Sequence, residues 1–379
     1  MKILLIGEYS RLHNSLKEGL QALGHEVLLV GDGDAFKNYP VDVNINPTIS
    51  SKYLPSILRT LFLKLFKIDI VDYERAYKFK KVLPKLKGFD IVQFINEDVL
   101  GIHPKLQFKL LDQLFKQNGK SFLLCCGQDH VSIAYALKGK VKYSILTPYL
   151  NHPNLKKRYG YSLKYLSSPY QKLHLFLKKH IEGVIASDID YHLPYQQQDN
   201  YLGLIPNPIN VDKIDYMPME FSGKIKIFHG INEKSAIKKG NHFFESALAI
   251  IEQNYADKIE VLTVKSMPYQ EYIKRYDECH ILLDQVYAYD QGYNALEAMA
   301  KGKVVFSGAE QEWLDYYNVA EDSIVINALP DAEAIAKKLE WLILNPSELV
   351  KISKNARSFI EKEHHYINCA KCYLKVYQK

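Results

Sequence analysis

The sequence contains no apolar run approaching the roughly 18 residues needed to span a bilayer, which excludes a transmembrane protein. The apolar stretch in the opening MKILLIGEY is too short for a signal peptide and reads instead as a first strand. Cysteine is scarce. Five residues, an odd number spread over 379, make no disulfide framework and point to a reducing cytoplasm. There is no internal repeat and no low-complexity segment, so disordered, collagen-like and fibrous classes fall away. What remains is 47% hydrophobic and 24% charged, an ordinary globular chain long enough for two domains with ample core.

Charge of one sign is also missing locally. Residues 151–180 carry seven Lys/Arg and no acid, and residues 51–88 carry ten against three, a net +7 in each block. The whole chain is only +6, so the rest must sum to −8. Such asymmetry fits a partner of negative charge (nucleic acid, anionic lipid or a phosphorylated substrate) or a solvated face with no partner. The 28 tyrosines invite base stacking, but no RRM, KH or helix-turn-helix pattern accompanies them, and nucleic acid is set aside. The run Leu61–Phe66, interrupted only by Lys64, fits an amphipathic membrane-surface helix or a buried helix with a basic rim.

Short apolar strands alternate with helical patterns. Lys2–Ile6, Val27–Val30, Ile91–Ile95, Phe122–Cys126 and Gly183–Ala186 read as strands, with helices at Leu12–Leu23 and Lys105–Gln117 between them. The texture changes at the turn-prone Pro206-Asn207-Pro208, and a second alternating set follows. Its strands are Ile225–His229, Ile259–Val264, Ile281–Leu283 and Val304–Phe306, with helices near His242–Gln253, Tyr269–Cys279 and Asn294–Lys301. A long helical pattern, roughly Pro346–Tyr377, closes the chain. The expectation is an α/β protein with two Rossmann-like domains facing a central cleft, divided as 1–205, 206–355 and a C-terminal helix 356–379 packing back toward the N-domain.

The most informative stretch runs from Tyr289 to Val305. Gly292 permits a tight loop before a helix whose free N–H groups suit a phosphate or sugar oxygen. Glu297, about one turn in, is placed to accept from a ribose diol, and on local grounds serves equally well as a surface helix residue.

The segment Leu296-Glu-Ala-Met-Ala-Lys-Gly-Lys-Val-Val resembles the donor-site signature of GT-B glycosyltransferases, specifically the retaining family 4. Ile227-Phe-His-Gly-Ile-Asn232, ending in Lys239-Gly240, is similar to that family's first C-domain strand and glycine-rich loop, and Ile205-Pro-Asn-Pro-Ile-Asn210 to its interdomain segment. The Ala356-Arg357-Ser358-Phe359 helix is familial in character too. The resemblance covers about 205–377; over 1–204 only the strand pattern agrees. It implies a nucleotide-sugar donor on the C-domain, with Gly230, Asn232, Lys234, Lys238, Asp290, Gly292, Tyr293, Asn294 and Glu297 around it, and Lys239 neutralising the diphosphate. Transfer would proceed with retention, with no metal and no cofactor. Two departures stand out. The first glutamate of the family's Glu-x7-Glu pair falls on Tyr289, beside Asp290, and no arginine occupies the Asn232–Glu233 stretch.

The acceptor side falls to loops after N-domain strands. Glu8 and His13 follow the first strand, and Glu97 and Asp98 follow Ile91–Ile95. Asp129 and His130 follow Phe122–Cys126 and are candidates to orient an acceptor hydroxyl or the donor sugar. His365, Cys369 and Cys372 share one helix face but lack a fourth zinc ligand, and Gly31-Asp32-Gly33-Asp34 lacks calcium-loop spacing. The reading is a cytoplasmic glycosyltransferase, peripheral on the inner face of the membrane, acting on a glycan or lipid-linked acceptor in polysaccharide or lipopolysaccharide synthesis. The rivals are a non-hydrolysing nucleotide-sugar 2-epimerase and a GT-B-like binding subunit without catalysis.

Overall fold

The computed structural model describes residues 1–34, 37–52, 55–66, 68–221, 223–265 and 269–378. Tyr53, Leu54 and Lys67 of the first basic block lie outside them. The described residues form two parallel sheets, each within its own compact unit. The N-terminal unit holds β1 (Lys2–Ile6), β2 (Glu26–Gly31), β3 (Val43–Asn44), β4 (Ile91–Phe94), β5 (Lys120–Cys125), β6 (Gly183–Ala186) and β7 (Tyr201–Leu204) in the order β3-β2-β1-β4-β5-β6-β7. The C-terminal unit holds β8 (Ile225–Ile231), β9 (Ile259–Lys265), β10 (Ile281–Leu283), β11 (Val304–Ser307) and β12 (Ile326–Asn327) in the order β12-β11-β10-β8-β9.

Helices cover both faces of a parallel sheet, so its central strands read as continuous apolar runs rather than alternating ones. Here β1, β4, β10 and β11 do so, with Leu4, Leu5, Val92, Phe94, Leu282 and Val305 at or near zero exposure. In the C-terminal unit Ile227, Leu283 and Phe306 pack with Phe244, Leu248 and Leu339 of the flanking helices. The short edge strands β3 and β12 and the half-buried β7 carry too little pattern to read from the sequence.

The units depart from the consecutive division at 205 and 355. The N-terminal unit comprises 1–135, 160–208 and 366–379, and the C-terminal unit comprises 136–159 and 209–365. The closing helical pattern is two helices, Pro346–Glu363 and Tyr366–Tyr377, broken at His364-His365. The second belongs to the N-terminal unit and lies against the Leu12–Ala22 helix. Gly19 makes that approach feasible: a Cβ there would sit 2.5 Å from the Tyr366 carbonyl and 2.9 Å from Ala370 Cβ. Tyr377 OH then donates to Gln93 Oε1 on β4 at 3.1 Å. Arg357, in the penultimate helix, donates to the carbonyls of Ile214 (3.0 Å) and Ala300 (2.7 Å), the latter closing the end of the Tyr293–Ala300 helix.

Candidate active site

In a doubly wound sheet the ligand crevice opens where strand order reverses, outside the carboxyl ends of the strands. In the C-terminal unit that point lies between β8 and β10, which pair directly while their crossovers run to opposite sides. Asp284, the first residue after β10, is buried there. Lys239 Nζ donates to its Oδ1 at 2.8 Å, Asn294 Nδ2 to the same oxygen at 3.1 Å, and Ser307 Oγ to Oδ2 at 3.3 Å. The lysine side chain is one-third exposed and its partner 1%, so a buried carboxylate holds a partly open cation. Gly240 follows in the left-handed conformation (φ 73°), joining the short Ala236–Lys239 helix to the Asn241–Tyr255 helix. A Cβ at Gly240 would press on Val286 and the Tyr287 ring. This turn sets Lys239 beside β10, and Val286 N–H donates to the Lys239 carbonyl at 2.9 Å.

Among the other sequence candidates, Asn294 is bonded to Asp284. Asn294 lies in the first turn of the Tyr293–Ala300 helix, which Gly292 precedes in extended conformation, and Glu297 is half-buried one turn further on. Gly230 is on β8; Asn232 is exposed, its Oδ1 accepting from the exposed Lys234 N–H at 3.1 Å. Lys238 stands with Nζ 5.0 Å from the Tyr159 ring centroid, and burial holds its pKa below the usual lysine value. Asp290 is buried, and its Oδ1 accepts from the Gln291 N–H at 2.6 Å.

Tyr289, where the resemblance expects a glutamate, is a packing residue. Its OH accepts from the Lys142 N–H at 2.8 Å and its ring lies 5.7 Å from that of Tyr143. The buried carboxylate of this corner is Glu310, bonded to Lys142 Nζ at 2.8 Å, to Asn327 Nδ2 at 3.0 Å and to Tyr143 OH. Burial opposes its ionisation, but these donors prevail and hold it below the ordinary carboxyl value. His229, at 0% exposure on β8, accepts from Asn241 Nδ2 at 2.8 Å, and burial lowers its pKa to about 4, keeping the ring neutral. Asp284 was discoverable: the rule that an acid after a strand end is a candidate, applied to Ile281–Leu283, selects it. Glu310 and His229 carry no comparable signal.

In the N-terminal unit the order reversal falls between β1 and β4. Glu8 follows β1, and its Oε2 accepts from Asn14 N–H (2.9 Å) and Nδ2 (2.6 Å). His13 Nδ1 donates to the Gly7 carbonyl at 2.7 Å; with the ring wholly buried, its pKa falls to about 3. Glu97 is wholly buried after β4, with His174 Nδ1 at 2.9 Å and the His130 N–H at 3.4 Å, and burial raises its pKa. His130 Nδ1 meets the Tyr165 carbonyl at 3.0 Å and its ring lies 4.8 Å from that of His174. Asp98 is bonded to Lys164 (2.8 Å) and Gln107 (3.0 Å). Asp129 is enclosed. It accepts from Cys125 Sγ (2.6 Å), the Ser132 N–H (2.7 Å) and Tyr195 OH (3.0 Å), so in this structure its carboxylate braces the interior rather than facing a ligand.

Burial lifts the Glu8 pKa from 4.5 to about 7. The folded state therefore binds a proton that the unfolded chain has released between these values. Its contribution is fully present below pH 4.5 and is lost as pH rises to about 7, on the order of 3 kcal/mol. Glu8→Gln keeps an acceptor for Asn14 without the charge. Urea unfolding across pH 4 to 8 should show the variant more stable than wild type at pH 8 and no better below pH 4.5.

Among the described residues no group of three or more His, Cys, Asp or Glu is placed to hold a metal ion. Cys369 is buried and Cys372 exposed. Asp32 pairs with Arg75 at 3.0 Å, and Asp34 accepts from the Ser10 N–H and from Lys37.

The two sheets and their switch points define a GT-B architecture, the expected fold class. Residues 235–375 match the family described as Glycosyl transferase-like, a span that includes Lys239, Asp284, Glu297 and Glu310. Sucrose-phosphate synthase from Thermosynechococcus elongatus is similar over 100% of this chain and 98% of its own, at 15% identity and a TM-score of 0.61. HepE from Anabaena, solved in complex with UDP and glucose, is similar over 99% of both chains at 13% identity and a TM-score of 0.59. UDP-GlcNAc 2-epimerase from Neisseria meningitidis, bound to UDP-GlcNAc, shares the fold over 99% of both chains at 12% identity and a TM-score of 0.55. No curated protein matches by sequence. The resemblance to GT-B glycosyltransferases is borne out, and with it the two-sheet α/β fold.

Proposed function

We propose that the protein transfers a sugar from a nucleotide-sugar, bound by the C-terminal unit, to a glycan or lipid-linked acceptor with retention. The observation that carries this reading is Lys239 held by buried Asp284 at the β8/β10 switch point, inside the segment that matches the glycosyl transferase-like family. When the sugar leaves, charge develops on the nucleoside diphosphate. A fixed ammonium, with further N–H donors at the adjoining helix ends, stabilises that charge without reorganising. Asp284 accepts from one N–H of Lys239, leaving other donors for phosphate oxygens. Glu297 is assigned to the ribose, and HepE, solved with UDP, supports a uridine nucleotide as the first probe.

The experiment is a thermal-shift panel of UDP, GDP, ADP, dTDP and CMP, followed by product analysis with the matching nucleotide-sugars. Ligand at a hundred times Kd should add about 2.7 kcal/mol of stability. Sugar transferred or released with the donor's own anomeric configuration supports the reading. A C2-epimerised nucleotide-sugar would replace it with the epimerase, and binding without turnover with the non-catalytic subunit. Because the lysine and helix ends carry the phosphate charge in this reading, turnover should be unchanged in EDTA. Loss of turnover restored by magnesium or manganese would contradict it.

A further inference from the structure

The Ser56–Phe66 helix leaves its apolar side chains outside the core. Ile57 is 78% exposed, Leu65 68%, Leu61 53% and Leu58 49%. At helical spacing these four, which include the most exposed, fall within an arc of about 100° and form a continuous stripe, with Phe66 (56%) and Leu63 (44%) exposed outside it. Single exposed leucines need no explanation, whereas a contiguous stripe marks an interaction surface.

What surrounds the stripe narrows the partner. The helix contains no acid, and Lys64 borders the stripe. Phe62 contacts Tyr73 of the Ile70–Val82 helix edge-on at 5.9 Å. Tyr73, Tyr77, Lys80 and Lys81 are the exposed residues of one side of that second helix, with Lys81 Nζ 5.3 Å from the Tyr77 ring centroid. Arg59 is neutralised by Asp69 at 2.9 Å, whereas Lys64, Lys80 and Lys81 make no ion pair among the described residues. Leucines and isoleucine to insert, tyrosines at the polar boundary and lysines reaching outward match the layers of a bilayer interface with an anionic surface. Pairing two copies through this face would instead bring like-charged lysines together.

We propose that the Ser56–Phe66 helix lies in the interface of an anionic membrane, with Ile57, Leu58, Leu61 and Leu65 inserted and Lys64, Lys80 and Lys81 on the headgroups. No helix among the described residues is long and apolar enough to cross a membrane. This inference is independent of the donor site in the other unit.

Full-length protein is co-sedimented with vesicles of phosphatidylcholine alone and of equal parts phosphatidylcholine and phosphatidylglycerol, at low salt and near 1 M salt. Wild type should bind the anionic vesicles better, and binding should weaken as the Debye length contracts to about 3 Å. The double variant L61E/L65E, at exposed positions, should lose roughly tenfold or more in vesicle affinity. K80Q/K81Q should lose affinity for the anionic vesicles only, and Leu344→Glu, an exposed apolar position in the other unit, should behave as wild type. Circular dichroism and the nucleotide thermal shift, unchanged in each variant, keep this test separate from the donor-site reading. Absence of wild-type binding at low salt overturns the proposal, as does undiminished binding by L61E/L65E. A dimer in sedimentation velocity that L61E/L65E dissociates, with no vesicle binding, assigns the face to a second copy.

Discussion

Lys239→Ala is expected to reduce turnover by about 10²–10³, close to 3–4 kcal/mol of transition-state stabilisation, while leaving the protein folded. The size of the effect follows from position. Lys239 is held to Asp284 at 2.8 Å, and Asp284 is fixed in turn by Asn294 and Ser307, so the ammonium is prepositioned rather than sampling solvent. An ammonium already in place loses little on meeting developing charge, which makes its removal costly. Asp284→Asn should act through the lysine, freeing its rotamers, with a smaller loss of kcat than Lys239→Ala. Lys354→Ala, at an exposed lysine of the same unit, should remain near wild type. The measurement is steady-state kinetics on the donor selected by the nucleotide panel, with a melting curve for each variant. Wild-type rates in folded Lys239→Ala would remove Lys239 from the catalytic machinery.

The largest stability effect should come from the other end of the chain. Deleting residues from Tyr366 onward removes Tyr373 and Tyr377, both fully buried, together with Cys369, Ala370 and Val376. Each large apolar side chain taken out of water contributes about 1.5–3 kcal/mol, so the loss rivals the 5–15 kcal/mol by which domains are typically stable. The truncated chain should lose the cooperative unfolding of its N-terminal unit. Gly19→Val isolates the contact in a point change. Valine is the better helix former, yet its Cβ would meet the Tyr366 carbonyl at 2.5 Å, a backbone atom that cannot swing aside. Overpacking of about 1–3 kcal/mol should outweigh the propensity gain and lower the melting temperature. Gly160→Ala, with nothing near its Cβ position, is the control and should be neutral or slightly stabilising. An unchanged melting temperature in Gly19→Val would show that the two helices part without cost.

The sequence by itself determined the architecture and the segments that carry the proposed donor residues. Continuous apolar runs at Lys2–Ile6, Gly183–Ala186 and Ile281–Leu283 can only be satisfied by burial on both faces, which is a parallel sheet, and those strands stand where the pattern places them. Glycine at 240 and the polar loop before Tyr293 likewise mark chain turns that no distant contact is needed to explain. Tertiary structure alone decided what the polar residues do. An acid after a strand end reads the same whether it holds a lysine, as Asp284 does, or braces the interior, as Asp129 does, because the difference lies in partners remote along the chain. Tyr289 reads as a lost glutamate until Lys142 and Tyr143, well over a hundred residues earlier, pack against it. The final helix belongs to the N-terminal unit for the same reason: its apolar face specifies burial, and only the flat surface at Gly19, at the opposite end of the sequence, specifies where.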